Sequence, residues 1–352
     1  MFQKCLFVFI ACGLLLDNAF AHHSRSNYDM RKFLEYDGVV AEFMWKNPHV
    51  FAVIEIKDDN GDPKRLLLEM NSKPILTEMG WKADSLQIAD KIHVRGNPDH
   101  RADRDQFFVR YIINRDGQKL WSFGRPRQEA RKLAKENPVA RKPLVGSTDF
   151  SGIWNRARLT PEQRRRRPDP FTAADLPVTP KGEAARKKFD PNDDPSYECF
   201  PRTLPQTIVP VYPMEIAWRD ANTLTFHYEF NNGRREVHLN QTEFPDDVPP
   251  THMGYSIGTL KAGVLEIRTR FFSYDRWGNG RGVPSGEQKE VYERYTLAND
   301  GKRLEVTYTV SDPEYLTGPP IETNGAYVLI NNIEITDFDC DPKAATRHLT
   351  GK

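Results

Sequence analysis

The strongest constraint on the fold is a succession of short runs rich in β-branched and aromatic residues, joined by turns that contain Asn, Asp or Gly. Such runs are typical of short strands in sheets and barrels. One series lies within residues 36–120, and a second body begins near residue 149. Because a tract rich in Pro and charge separates them, the sequence predicts a mainly β chain with two domains.

The first series predicts five strands, with the sequences GVVAEFMW, HVFAVIEI, RLLLEM, DKIHVRG and DQFFVRYIIN. Between the third and fourth, SKPILTEMGW predicts a short helix, since Ser72 can cap its start and Gly80 can end it. Five strands with one helix in this place is the order of an OB-type barrel. We therefore predict an OB-like β domain over residues 22–121.

A connector and a second barrel are expected next. Residues 122–148 predict a charged helical connector, broken at Pro138. From residue 149 to 352 we predict an antiparallel barrel with an extended loop at about 156–198. Its strand patterns lie at 214–219, 222–230, 234–240, 256–260, 264–272, 288–297 and 303–310. The triplet Gly152-Ile153-Trp154 resembles the Gly-x-Trp of lipocalins, and this resemblance implies a lipocalin-like barrel.

The first 21 residues have the pattern of a secretory signal. Lys4 precedes the apolar run CLFVFIACGLLL, and the small residues of AFA at 19–21 mark a cleavage site. Cleavage after Ala21 predicts a periplasmic or secreted protein that begins at His22. The alternative is a lipoprotein modified at Cys12. The apolar run is shorter than the ~20 residues of a membrane-spanning helix, and no later stretch approaches that length.

Charge and cysteine content narrow the partners and the compartment. The formal net charge is +1, and removal of residues 1–21 takes away one Lys and one Asp and leaves it unchanged. This balance predicts no nucleic-acid partner, and the run RRRR at 164–167 fits a solvated loop. Cys199 and Cys340 remain after cleavage, and an oxidising compartment favours a disulfide between them over a catalytic thiol.

Several ordered motifs carry a family resemblance. HHS, GVVAEFMWKNPHVF, GWKADSL and DKIHVRGNP follow one another in this order. Together they resemble a family of bacterial secreted domains of unknown function with an Ala-His-His-Ser start and a Trp-x-Asn-Pro-His motif, over residues 22–121. The second half, with YECFPRTLP, YPMEIAW and MGYSIG, resembles another uncharacterised β-rich domain common in the same secreted proteins. Its relatives have His where this chain has Tyr255, which removes any role of that histidine here.

The new amino terminus predicts a metal site. The α-amine and imidazole of His22 can chelate one ion, and an imidazole of His49 would complete three nitrogen ligands, a set that favours Cu(II). Pro48 interrupts strand pairing and places His49 at a barrel rim. His23 is either a fourth ligand or solvated. The alternative is a structural role for His49 beside Trp45.

A predicted hairpin gathers a second candidate site. If Asn232-Gly233 forms a two-residue type I′ turn, His227 faces His238 and Glu229 faces Glu236 on one face of the hairpin. These four could bind zinc or supply an acid–base pair, and the alternative is an ordinary solvent face. His252 extends this candidate set. The sequence GYSIG matches a nucleophile-elbow pattern around Ser256, but a hairpin follows it instead of a helix, which favours a structural turn.

Aromatic side chains in FFSYDRWGNG suggest a ligand contact. Tyr274 and Trp277 lie in a loop that ends in Gly-Asn-Gly, where a surface position is expected. They would suit the mouth of a barrel that binds an apolar small molecule.

Three functions remain open. The first is a periplasmic binding protein with a copper site and a hydrophobic cavity in the second barrel. The second is a secreted enzyme acting on a small hydrophobic or aromatic substrate. The third is an envelope scaffold, and the oligomeric state is left undetermined.

Overall fold

The computed structural model describes residues 27–123, 149–157 and 176–350, apart from residues 59, 102, 209, 211, 281, 299–300 and 331–333. The predicted signal peptide, His22, His23, nearly all of the connector and residues 158–175 of the extended loop lie outside these residues. None of the described helices combines the length and apolar character needed to cross a membrane.

The first domain is a closed five-stranded barrel with a sixth short strand at its side. Its strands pair in the order β3-β2-β1-β4-β5-β6, and a parallel pairing of β3 with β5 closes the ring. Helix α1 lies between the third and fourth strands, as predicted. The elements are β1 (Leu34–Met44), β2 (Phe51–Lys57), β3 (Pro63–Glu69), α1 (Lys73–Glu78), β4 (Lys91–Pro98), β5 (Gln106–Ile113) and β6 (Lys119–Trp121).

The second domain is a closed barrel of nine strands in the order β10-β11-β12-β15-β16-β17-β7-β8-β9. A ring with an odd number of strands cannot alternate direction throughout, and the single parallel pairing joins β10 to β11. The mainly β, two-barrel prediction is confirmed. The ring strands are β7 (Gly152–Arg156), β8 (Met214–Asp220), β9 (Thr223–Tyr228), β10 (Gly233–His238), β11 (Tyr255–Lys261), β12 (Val264–Arg270), β15 (Glu290–Ala298), β16 (Arg303–Ser311) and β17 (Ile321–Ile330).

Three further elements lie outside this ring. Strands β13 (Asp275–Gly280) and β14 (Val283–Ser285) form a hairpin between β12 and β15, helix α2 (Pro180–Arg186) packs near β14, and helix α3 (Pro342–Thr350) ends the described chain.

Side chains fill the interior of the second barrel. Along β15, inward and outward positions alternate, so that Glu293 and Tyr295 are buried while Tyr292 is exposed. Phe226 and Tyr308, from other strands, likewise have no exposed surface. A water-sized cavity beside these side chains would leave them accessible surface, so the middle of the barrel is a packed core.

An ion pair crosses that core. Both side chains of Arg235 and Glu293 are at most 1% exposed, and two contacts of 2.5 and 2.8 Å join them. The Tyr295 hydroxyl donates to Glu293 Oε1 at 2.7 Å and lies 3.1 Å from the Tyr308 hydroxyl. Burial raises the pKa of Tyr295 and Tyr308 well above the usual value, so both stay protonated.

The C-terminal segment ties the two barrels together. Cys340 forms a disulfide with Cys199, which confirms the pairing that the two remaining cysteines favoured. Next to it, the buried side chain of Asn47 donates to the Phe338 carbonyl and accepts from the Lys73 amide at 3.0 Å. Asn47 of the Trp-x-Asn-Pro-His motif therefore holds the tail of the second domain against the first barrel.

Candidate functional site

One end of the second barrel is covered by residues 189–208, which we call the cap. Short 3₁₀ turns at Pro191–Asp193, Pro195–Glu198 and Gln206–Ile208 make up half of it. Asp190 and Asp194 accept hydrogen bonds from the amides two residues later, and a Pro follows each Asp, a sequence that favours the start of a helical turn. Cys199 ends the second turn with a φ of 63°.

The β13–β14 hairpin holds the cap in place. Arg276 donates to the Asp193 carbonyl at 2.9 Å and to Glu198 Oε1 at 2.8 Å. The rings of Phe189 and Trp277 lie 5.2 Å apart. Gly282 has a φ of +66°, and a Cβ there would come within 2.5 Å of the Phe189 ring, so only Gly fits this contact.

A cleft lies between the cap and the hairpin. It has apolar walls and several polar side chains, and its empty volume, including the part open to solvent, is about 240 Å³. The closed part of the cleft has room for about one water molecule. The lining residues are Asp194, Pro195, Ser196, Phe200, Pro201, Arg202, Thr203, Gln206, Asp275 and Trp277.

His252 lies beside two of the lining residues, Asp275 and Phe200. The His252 Nε2 atom lies 2.6 Å from the Pro201 carbonyl, which only accepts, so Nε2 carries a hydrogen. In the neutral ring Nδ1 is then an acceptor, and it lies 3.7 Å from Asp275 Oδ2. Burial is the largest cause that lowers the pKa of His252, which favours the neutral ring.

A buried lysine lies behind this pair. Lys289 is fully buried, and its ammonium donates to the Gly278 carbonyl at 2.9 Å and lies 4.9 Å from the centre of the Phe272 ring. Burial lowers its pKa to about 8, while Asp275 and Asp312 act in the opposite direction. Lys289 is the positive charge that partly balances Asp275 near neutral pH.

The predicted His227–His238 hairpin site is not assembled, because the register was wrong. The turn takes four residues instead of two, and His227 lies opposite Arg234 while His238 lies opposite Thr223. Phe230 causes this difference, since its ring packs in the turn against Tyr212 and Phe338.

The acidic members of that site are also apart. Glu236 pairs with Arg219 on the outer face, and Glu229 is buried in the turn itself. His238 stacks on Tyr255 with ring centres 4.8 Å apart. These contacts give the residues structural partners and leave no zinc or acid–base group among them.

The structure places the remaining candidate residues of the second domain in different surroundings. Trp277 lines the cleft, but it is buried within β13, so the surface loop position predicted for it is wrong. His252 is not a lining residue and lies beside Asp275. Tyr274 is 58% exposed and does not line the cleft. Ser256 is buried, with its hydroxyl 2.8 Å from Thr269 Oγ1, which fits a structural role.

Sequence analysis missed three residues of the cleft region. Asp275, Lys289 and Gln206 lie far apart in the chain and carry no motif, and only the fold brings them to one end of the barrel. The one signal available in the sequence was the position of Asp275, which lies two residues before Trp277 in DRWGNG.

His49 of the first barrel has an organised environment. Its Nδ1 lies 2.7 Å from Oε1 of the buried Glu69, and the Tyr28 hydroxyl donates to the other oxygen at 2.6 Å. The His49 side chain is 29% exposed. Within the described ranges, no three His, Cys, Asp or Glu side chains come together as a metal-binding group.

Comparison with known proteins identifies part of the chain. The profile of a group described as "Family of unknown function (DUF6152)" matches residues 11–107. This confirms the resemblance to a family of unknown function over residues 11–107, whereas the resemblance of the second half stays a prediction. No curated protein matches the chain.

Two solved structures are similar to about half of the chain. The fluorescent protein UnaG is 13% identical, with 51% of this chain and 96% of that one covered and a TM-score of 0.23. A secretary abundant heat soluble (SAHS) protein from Ramazzottius varieornatus is 12% identical, with 54% and 99% covered and a TM-score of 0.25.

Proposed function

We propose that this protein binds a small, mainly apolar molecule in the cleft under the cap of its second barrel. The observation that carries the proposal is the composition of the cleft. Phe200 and Trp277 supply aromatic surface, Pro195 and Pro201 supply aliphatic surface, and the other six lining residues bring polar groups to the same space. Apolar walls with few, fixed polar groups are the usual composition of small-molecule sites.

The site differs from the predicted cavity inside the barrel. Packed side chains occupy the barrel interior, whereas the cleft lies at the covered end. Because the closed part of the cleft has room for only about one water molecule, a larger ligand has to rest on its open side or displace the cap outward. Phe200, 48% exposed, is the cap residue placed to cover such a ligand.

A titration with Nile red, a neutral hydrophobic dye, tests the proposal. We expect saturable fluorescence enhancement with the full chain, and a loss of about tenfold in affinity for Trp277→Ala, since truncating a central aromatic contact costs more than about 1 kcal/mol. Tyr274→Ala is the matched control, because this neighbouring aromatic lies outside the cleft. Equal binding by all three proteins would refute the assignment.

A second proposal concerns a metal at the first barrel, favoured by the Glu69–His49 contact. Metal-binding histidines commonly have their other ring nitrogen held by a carboxylate. With Nδ1 held by Glu69, Nε2 of His49 is the nitrogen left to bind a metal. Tyr28, on the same carboxylate, follows His22 by six residues, a length of chain that spans up to about 20 Å. We propose that His22, with or without His23, and His49 bind Cu(II).

Calorimetry and spin-resonance spectra with Cu(II) separate this proposal from incidental binding. We expect tight one-to-one binding by protein beginning at His22, and its loss when one Gly precedes His22 or when His49 is replaced by Ala. His93→Ala is the control, since His93 contacts Asp37 on the surface of the same barrel. Weak, equal binding by all variants would overturn the copper site.

The location of the protein is part of the same proposal. A secretory signal over residues 1–21 and the Cys199–Cys340 disulfide both support an oxidising compartment such as the periplasm. Fractionation of cells that express the full chain tests this, with mature protein starting at His22 expected outside the cytoplasm.

A further inference from the structure

Two hydrogen-bond acceptors lie next to each other at the edge of the cleft, one on the lining residue Asp275 and one on His252 beside it. His252 Nδ1 and Asp275 Oδ2 lie 3.7 Å apart, too far for a hydrogen bond between them. The other atoms of both groups are already engaged, because Nε2 donates to Pro201 and Oδ1 accepts from the Trp277 amide at 2.7 Å. One donor atom placed about 2.9 Å from each acceptor would satisfy both.

No described protein group supplies that donor. Among the described residues, Asp275 Oδ2 has no hydrogen bond to an N–H or O–H group. The ammonium of Lys289, which partly balances the charge of Asp275, donates its hydrogen bond to the Gly278 carbonyl. The free donor is therefore expected to come from solvent or from a ligand.

A second observation points to a ligand at the same place. Gln206 lines the cleft, is 96% buried, and its Nε2 has no hydrogen-bond partner among the described residues. A buried amide nitrogen without a partner destabilises the folded state unless water or a ligand accepts its hydrogen. The cleft thus contains both an unfilled acceptor pair and an unfilled donor.

The walls and charges of the cleft select the kind of donor. Phe200 and Trp277 provide aromatic surface, which attracts cations as well as apolar groups. Asp194 is paired with Arg202 at 3.0 Å, so this pair adds little net charge. The negative charge of Asp275 is only partly balanced by the positive charge of Lys289. The remaining negative charge favours a cationic donor over a neutral donor.

We propose that the apolar ligand of the cleft carries a protonated primary amine, which donates hydrogen bonds to both His252 Nδ1 and Asp275 Oδ2. This inference rests on the proposed function and narrows its ligand class. It assigns Asp275 the role of binding the charge and His252 the role of setting its position. Gln206 Nε2 is then available to an oxygen of the ligand or to a bound water.

The same geometry predicts competition between the amine and a proton. Protonated His252 would carry a hydrogen on Nδ1, so this nitrogen could no longer accept a hydrogen bond, and the positive charge of the ring would repel an ammonium. The charged groups facing His252 are Asp275 on β13, Lys289 before β15, and the Asp194–Arg202 pair on the cap. Because Lys289 loses its charge as the pH rises through about 8, it offsets Asp275 less at higher pH. Amine affinity should therefore increase from acid to mildly alkaline pH.

Three probes with the same ring test the proposal by calorimetry on the full chain. These are cyclohexylmethylamine, cyclohexylmethanol and cyclohexanecarboxylate. At pH 7 we expect the amine to bind about tenfold more tightly than the alcohol, since a charge-assisted hydrogen bond is stronger than one between neutral groups. The carboxylate should bind least. Alkylamines titrate near about 10.4, so the probe keeps its charge from pH 5.5 to 8.5.

Matched variants separate the outcomes. In Asp275→Asn, which keeps an oxygen to accept from the Trp277 amide, we expect amine affinity to fall to that of the alcohol while alcohol affinity stays unchanged. Glu290→Gln removes an exposed carboxylate of the same barrel and should change neither. Increasing amine affinity from pH 5.5 to 8.5, with a flat profile for the alcohol, supports the competition.

Other results overturn the proposal in distinguishable ways. If amine and alcohol bind equally and Trp277→Ala weakens both, the cleft binds apolar molecules and the amine assignment is wrong. If the amine is preferred but Asp275→Asn leaves the preference intact, the charge is bound elsewhere and the assignment is also wrong. If none of the probes nor Nile red depends on Trp277, the proposed function fails together with this inference.

Discussion

The buried ion pair of the second barrel gives the sharpest stability prediction. Replacing Glu293 by Gln keeps the size of the side chain but leaves the Arg235 charge without a partner in a core where both side chains are at most 1% exposed. Removing one partner of a buried pair costs about 3–5 kcal/mol. We expect Glu293→Gln to lower the free energy of unfolding by that amount.

Urea unfolding at pH 7, followed by circular dichroism and tryptophan fluorescence, measures this change. Glu290→Gln is the control, because Glu290 lies three residues away on the outer face of β15 and pairs with Arg270, with both side chains about half exposed. We expect it to change stability by less than about 0.5 kcal/mol.

A double variant tests the cause. Arg235→Met with Glu293→Leu replaces both charges by apolar groups of similar size, and we expect it to be at least about 2 kcal/mol more stable than Glu293→Gln alone. If Glu293→Gln costs less than about 1 kcal/mol, as the exposed control does, water screens the pair. That result would refute a packed interior and return the ligand site to the middle of the barrel.

Three further predictions concern the tail, the disulfide and pH. Asn47→Ala should lower the free energy of unfolding by about 2–4 kcal/mol, since two buried hydrogen bonds are lost. Asn60→Ala, at an exposed loop position, should change it little, and urea unfolding compares the two variants. Reduction of the Cys199–Cys340 disulfide, which spans 141 residues, should lower the free energy of unfolding by about 3–5 kcal/mol. The thermal midpoint with and without reductant measures this change, and the variant with both cysteines replaced by Ser should not respond to reductant. Burial lowers the pKa of His227 and His252, so the unfolded chain takes up protons at a higher pH than the folded chain, and stability should decrease as the pH falls below about 6.5. Urea midpoints measured from pH 7.5 to 5 should show a smaller decrease when both histidines are replaced by Gln. An equal decrease would contradict the reasoning.

Local sequence patterns were sufficient to predict the first barrel. Five strand patterns with a helix after the third correspond to the observed order, and α1 begins at Lys73, directly after Ser72, although the Ser72 side chain makes no capping hydrogen bond. Alternation of apolar and polar residues is a local property, so it identifies strands without knowledge of their partners. The cleft depends on contacts between distant segments, and no local pattern reports them.

Two Asn-Gly pairs show where local signals fail. Asn232-Gly233 predicts a two-residue turn, but the packing of Phe230 extends it to four residues. Asn324-Gly325 is the same signal in the middle of β17, where Gly325 pairs with Val306. A Cβ at Gly325 would lie 3.1 Å from the Val306 side chain, so Gly serves close packing there and makes no turn.

Spectra of ¹⁵N-tryptophan-labelled protein test the central claim most directly, because the six indole N–H groups report separately on both barrels. On addition of cyclohexylmethylamine or Nile red, the account predicts a saturable shift of the Trp277 signal, while the buried Trp81 and Trp154 signals stay in place. A shift confined to Trp45 or Trp121 of the first barrel, or a shift of Trp154 in the core, would contradict a ligand site under the cap.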